Sequence, residues 1–385
     1  MNNDADSRAP ARKGPLTGTT LVELGGIGPG PYCGQLLGDL GAQVIVIDRP
    51  GMNVPMVERR GKKSIVVNMR EKGAVSLVRK IVAKADMAIE GFRPGVAERL
   101  GVGPEDCLKD NPALVYGRMT GWGQTGPWAS MAGHDINYLG ITGALHAMGE
   151  AGRPPSPPLN LVGDYGGGSL FLAMGMLAAL SRARTTGVGD VVDAAIIDGV
   201  ASMFGIIRSL DGLQRWTTDR AQNVLDGGAP FYRCFETADH KFMAVGAIEP
   251  QFFEKLLSVL TIDPDHFGDQ RDEGRWPEQH KILEKTFSQH SRDHWAALFD
   301  GVDACVTPVL DYNEAPLHPQ NIARGQMPKD DLFTHPLVAP SFSSGTIEPV
   351  TDIPKRGQHT DDILKNSGYS ADDIEEMKLA GIVHS

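Results

Sequence analysis

Two short blocks of the chain concentrate groups able to move a proton or hold an anion: Gly133-His134-Asp135-Ile136-Asn137-Tyr138, and Gly163-Asp164-Tyr165-Gly166-Gly167-Gly168-Ser169. His134 and Asp164 each stand ahead of an apolar pattern with a helical period. It resumes at Ile136, Tyr138, Leu139 and Ile141 in the first block and at Leu170 in the second. Both are therefore expected at helix N-termini, where free backbone N–H groups and the positive dipole end favour an enolate or a tetrahedral oxyanion. The run Gly166-Gly167-Gly168 disfavours helix, so it implies that a ligand or a second backbone comes close. A plainer use exists for each: Asp164 as a helix N-cap, and His134 as a satisfied polar residue at the other helix.

The elements that must position these groups alternate between strand and helix. Residues 20–24 read as a buried strand, 32–40 as an amphipathic helix and 43–47 as a second strand, which makes a right-handed βαβ unit. Glycines mark its first turn. Asp48 follows Gly28 by 20 residues, the spacing of a nicotinamide-dinucleotide fingerprint. Against an NAD-dependent oxidoreductase, Pro29 and Pro31 remove N–H groups from the turn that would cradle a pyrophosphate. The spacing Gly26-x-Gly28-x-Gly30 also departs from GxGxxG. A tight turn in a doubly wound fold is the better reading. Further on, 73–85 reads as helix and 87–90, 113–119 and 190–197 as strands, so an α/β fold with a parallel, Rossmann-like sheet is expected. The apolar run 170–180 has 11 residues, fewer than the roughly 20 that span a bilayer, and reads as a buried helix.

After about residue 220 the texture changes. FYRCFETADHKFMAVGAIE alternates like two antiparallel strands meeting at Ala238-Asp239-His240, and acidic helices follow, which describes a smaller α+β domain. The expected organisation is a mobile tail over 1–14, the N-terminal part of the large domain over 15–200 and a linker over 201–224. The small domain then spans 225–312, and a return linker with the C-terminal part of the large domain spans 313–385. Ser370 to Asp373 has the form of a helix cap.

With 385 residues, 41% of them hydrophobic and 22% charged, the chain is globular rather than disordered or fibrous. Thirty-seven basic against 48 acidic residues leave a net charge of −11, which excludes broad charge-driven binding to nucleic acid or membrane. An anionic ligand must therefore meet local cations, and Arg59, Arg60, Lys62 and Lys63 form the densest cluster. Cys33, Cys107, Cys234 and Cys305 follow no metal-ligand spacing, so neither a zinc site nor a disulfide framework is expected, and a reducing cytoplasmic setting fits.

Several long blocks carry a resemblance over nearly the whole chain: GPLTGTTLVELGGIGPGPYCGQLLGDLGAQVIVIDRPG, IEGFRPGVAERLG, MTGWGQTGP with AGHDINY, NLVGDYGGGS, and LDGGAPFY with VGAIEPQFF. The chain is similar to the class III coenzyme A transferase superfamily and, within it, to the 2-methylacyl-CoA racemases. That resemblance implies an isomerase of fatty-acyl metabolism built as an interlocked dimer, with active sites between a large CoA-binding domain and a small one. It gives Asp164 the role of catalytic carboxylate and His134 that of the second base, which sets racemases apart from transferases. Glu249 of the partner subunit is implied beside His134, and the Asp135 N–H as a donor to the thioester oxygen. Inverting a carbon next to a thioester needs acid/base groups on both faces, and the resemblance assigns His134 to the 2S and Asp164 to the 2R epimer. It further implies Arg49, Lys62, Lys63, Arg93 and Arg99 at the CoA phosphates and Ile27 near the pantetheine or acyl group. No metal is implied and no cofactor beyond the CoA of the substrate. Met148, Met174, Met176 and Met203 are candidates for a loose acyl site. The competing reading is a CoA transferase in which Asp164 forms an aspartyl-CoA anhydride.

Overall fold

The computed structural model describes residues 14–51, 56–325, 336, 338–344, 347 and 350–384. The expected mobile tail, apart from Gly14, lies outside the described residues. The chain divides into two units.

The first unit takes the described residues of Met1–Thr142, Leu159–Met203 and Ala323–Ser385. Its sheet contains β1 (Thr20–Glu23), β2 (Gln43–Asp48), β3 (Lys63–Val67), β4 (Met87–Glu90), β5 (Val115–Thr120) and β6 (Asp190–Ala195). These six strands are parallel in the order 3-2-1-4-5-6, and the two-residue strand Val383–His384 adds antiparallel to β3. Strand segments such as Leu21-Val22, VIVI and IVV are apolar on both faces because helices cover both sides of a parallel sheet. The helix Ala74–Val82 follows the pattern, burying Leu77, Val78, Ile81 and Val82 in the same core cluster as Val22, Ile45 and Ile65. Strand order reverses between β1 and β4, and in such folds ligands bind outside the carboxyl ends of the strands at that point.

Two expectations need correction. Within 190–197, Asp190–Ala195 form an edge strand with Val191 exposed, because no described strand pairs with its outer side; the helix Ile196–Met203 begins directly after it. The run 170–180 lies in a longer helical stretch, Leu161–Thr186, of 26 residues, long and apolar enough to cross a membrane by length and composition alone. Within it, the α-helix Phe171–Thr186 lies on β5 and β6 and buries one face only, through Leu172, Ala173, Met176, Ala179, Leu180 and Ala183. Leu170 and Met174 remain exposed.

The second unit comprises Gly143–Pro158 and Phe204–Ile322. An antiparallel sheet of β7 (Tyr232–Glu236), β8 (Phe242–Gly246) and β9 (Val306–Val309) packs with helices around Phe231, Phe235, Phe253, Phe267, Trp276, Phe287 and Trp295. This is the expected α+β character over wider bounds than 225–312. The unit takes in most of the stretch read as a linker and a 16-residue excursion, Gly143–Pro158, from within the stretch assigned to the large domain. Arg220 explains the excursion. Its guanidinium donates to the carbonyls of His146, Glu150 and Arg153, and main-chain acceptors of that kind have no signature in sequence.

Candidate active site

β1 ends in a glycine turn whose Gly28 takes φ +71°, and Pro29 then opens the helix Pro29–Asp39. Proline at that position lacks only an N–H that the first turn would leave unpaired. The turn faces the second chemical block: a Cβ built on Gly28 would stand 3.4 Å from Oδ2 of Asp164. Ser169 closes the arrangement by donating its hydroxyl to the Pro29 carbonyl over 2.7 Å.

His134 stands where the sequence places it, immediately before the helix Asp135–Thr142. Its N–H donates to Oδ1 of Asn137, and its carbonyl accepts from the Asn137 N–H, so its backbone caps the helix while the imidazole is exposed. Tyr138 anchors the turn through its hydroxyl, which donates to the Gly133 carbonyl, and through an edge-on contact with Trp122.

Asp164 also stands at a helix start, but the helix is of an unexpected kind. It sits in the first turn of a π-helix, Leu161–Leu170, which begins after Asn160 and runs directly into Phe171–Thr186. The three glycines account for this segment. A Cβ at Gly167 would stand 3.0 Å from the Ile196 carbonyl oxygen, and one at Gly199 would overlap the Gly167 carbonyl. The run thus admits another backbone, that of the helix Ile196–Met203, the second of the two uses open to it from sequence.

Asp164 does not cap its own helix. Its N–H donates over 2.7 Å to Oδ2 of Asp135, a residue only 7% exposed. Burial, then the negative charge of Asp135, push the Asp164 carboxyl up to about 6, against the opposing pull of His134. Burial also raises Asp135, opposed by the N–H groups of Asp164 and Gly163. The backbone N–H of Asp135, first in its helix, has no acceptor within that helix.

At the carboxyl ends of the strands lies a cavity of about 650 Å³, lined among others by Ile27, Asp48, Arg49, Arg59, Phe92 and Arg356. Ile27 is 73% exposed there. Asp48, the acid that a dinucleotide fold would offer to a ribose, is already filled. It accepts two bonds from Arg59, one from the Ser64 hydroxyl and one from Arg356. Arg356 also donates to the Arg49 carbonyl over 2.6 Å. Sequence reasoning missed Arg356, which reaches Asp48 from 308 residues away and carries no spacing signal.

The basic cluster is largely turned inward. Lys62 is buried in an ion pair with Glu23 at 2.6 Å and also donates to the Pro31 carbonyl. Arg60 pairs with Asp39 and donates to the Pro336 carbonyl. The density of charge at 59–63 therefore serves mainly to hold the Pro29–Asp39 helix. Lys63, Arg93 and Arg99 lie outside the cavity lining. Arg93 and Arg99 are exposed, and the charge of Arg93 bears on Tyr138 beside the His134 turn.

Glu249 lies in the second unit, exposed, at the N-cap of the helix Pro250–Val259, with no side-chain capping bond. Of the methionines, Met176 is core, and a Cβ at Gly117 would stand 2.8 Å from its sulfur. Met174 and Met203 are exposed in the first unit, and Met148 is half-buried in the second. Cys33 is buried, as a small core residue, and burial drives its thiol far up.

The alpha-methylacyl-CoA racemases of Mus musculus and Homo sapiens are 40% and 39% identical to the chain, each alignment covering 96% of it and 98% of the relative. The crystal structure of a CAIB/BAIF family protein from Brucella suis superposes with a TM-score of 0.80 at 27% identity, covering 92% of this chain and 99% of that one. The family model for CoA-transferase family III matches residues 16–360. With the filled Asp48, the glycine turn beside Asp164 and these matches together, the chain belongs to CoA-transferase family III.

Proposed function

We propose that this chain is an isomerase, a racemase that interconverts (2R)- and (2S)-2-methylacyl-CoA thioesters by 1,1-proton transfer through an enolate. The observation that carries the reading is the placement of His134 immediately before the helix Asp135–Thr142, with Asp164 bonded through its N–H to the first residue of that helix; burial and the charge of Asp135 push the Asp164 carboxyl up to about 6. One base takes the C2 proton from one face, and the conjugate acid of the other returns a proton to the opposite face. An aspartate held near 6 is a stronger base than an ordinary carboxylate and is still acidic enough to give the proton back. As negative charge moves onto the thioester oxygen, the Asp135 N–H stabilises it.

CoA enters as part of the substrate, and the reading needs no separate cofactor. Its nucleotide lies in the cavity with Arg49, Arg59 and Arg356, and its arm runs past Ile27 and Gly28 to Asp164. Lys63, Arg93 and Arg99 serve at the outer phosphates, whereas Lys62 is committed to Glu23. The functional unit is a homodimer. A second copy covers the exposed apolar side chains Ile136, Ile141, Leu161, Leu170 and Met174 and supplies Glu249 to orient His134. Four free cysteines suit the cytoplasm.

The test is proton NMR of a 2-methylacyl-CoA incubated with the enzyme in deuterated water. Loss of the C2 proton signal and formation of the opposite epimer, from either starting epimer, are expected. Retention of the C2 proton while CoA passes to a free carboxylate would establish the transferase reading instead.

A further inference from the structure

An aspartate at the start of a helix ordinarily turns its carboxylate toward its own N–H groups. Asp135 does not. Its side chain crosses to the π-helix 29 residues away, where Oδ2 accepts the Asp164 N–H. Gly163, just before, has no side chain in the way: a Cβ there would overlap the Asp135 carboxylate. The other oxygen, Oδ1, is buried with no hydrogen-bond partner among the described residues.

We propose that the Asp135 carboxylate is the positioning residue of the Asp164 base: it fixes the first turn of the π-helix and keeps a negative charge against the Asp164 carboxylate. This rests on the reading of Asp164 as a base. An asparagine would accept the same bond from the Asp164 N–H without the charge, and an unpaired buried charged oxygen is costly. A cap alone therefore does not account for an acid at this place; a requirement for charge does.

The charged and titratable groups around Asp164 are few. His134, just before the helix Asp135–Thr142, and Asp135 and Tyr138 within it bear on Asp164, and Arg93, after β4, bears on Tyr138. Tyr165, next in the π-helix, stacks on Tyr32 of the Pro29–Asp39 helix and donates to Glu58. The turn at Gly28 brings no charge. Among the described residues, only the Asp135 carboxylate both bonds to the Asp164 backbone and opposes its ionisation. After burial, it is the charge that raises the proton affinity of the Asp164 base.

Asp135→Asn separates the two roles. The Asp164 titration is read directly from carboxyl 13C NMR of aspartate-labelled enzyme, with the Asp164→Asn spectrum assigning the resonance; no substrate is needed. In Asp135→Asn the midpoint is expected to fall by roughly one pH unit, and the acid limb of deuterium exchange into the 2R thioester falls with it. A midpoint unchanged from wild type overturns the proposal while leaving C2 exchange, and thus the racemase reading, intact. Should Asp135→Asn fail to fold, the wild-type spectrum decides: a midpoint near the ordinary value of about 3.9 overturns the proposal. A raised midpoint that drops in Asp135→Asn, in an enzyme that exchanges no C2 proton, upholds the coupling and removes the racemase reading.

Discussion

Two aspartates of the first unit, Asp48 and Asp164, lie along the same face of the fold and have opposite surroundings. Asp48, at the end of β2, accepts from two arginines and a serine, so its charge is fully compensated and it serves as an anchor. Asp164 has its backbone N–H taken by another carboxylate, and no ion pair to it is formed among the described residues. The contrast teaches where chemistry resides in this fold. A carboxylate held by arginines has its lone pairs occupied, whereas one set against a like charge keeps them for the substrate.

The strongest way to break the comparison is to remove the bases. His134→Ala and Asp164→Asn should each lower racemisation by about 100- to 10,000-fold. Each should retain deuterium exchange on the face of the surviving base, with His134→Ala still exchanging the 2R and Asp164→Asn the 2S epimer. Near-normal racemisation by a folded His134→Ala enzyme sinks the two-base assignment.

A single type of substitution then tests the contrast in stability. Asp48→Asn should destabilise the protein by about 3 kcal/mol, since two largely buried arginines lose their counter-charge. Asp164→Asn should act in the opposite direction at neutral pH. The Asp164 carboxyl binds its proton more tightly in the folded chain, at about 6, than in the unfolded chain, at 3.8. The stabilisation from that proton is complete below the unfolded value and is lost as pH rises through about 6, so ionised Asp164 is a burden at pH 7. Because Asp164 is only half-buried and solvent screens part of this term, denaturant unfolding should show a gain of about 1 kcal/mol for Asp164→Asn at pH 7 and none at pH 3.5. Equal signs for the two variants at pH 7 would dissolve the contrast.

The smallest effect is expected at the cavity cations. Arg356→Ala or Arg49→Ala should raise the Michaelis constant for acyl-CoA about tenfold with little change in turnover, because phosphate contacts are the same in ground and transition states. Steady-state kinetics with both epimers suffice, and an unchanged constant in both variants places the nucleotide elsewhere.

Much of this protein is determined by local sequence. The glycine turn with Pro29 and Pro31, the βαβ unit around it, the helix start at His134 and the capping box at Ser370 and Asp373 all follow from residues within one or two turns of each other. Such features are legible because periodicity, capping and turn conformation act over a few residues. Tertiary structure alone decided the rest. The edge strand Val383–His384, the excursion Gly143–Pro158, the grip of Arg356 on Asp48 and the bond from the Asp164 N–H to Asp135 depend on where the chain returns. The basic run at 59–63 is the clearest case: sequence shows its charge, but only the packing of Glu23 and Asp39 against it turns Lys62 and Arg60 inward. Charges are legible from composition, whereas their partners and their proton affinity are set by burial and by neighbours brought from afar.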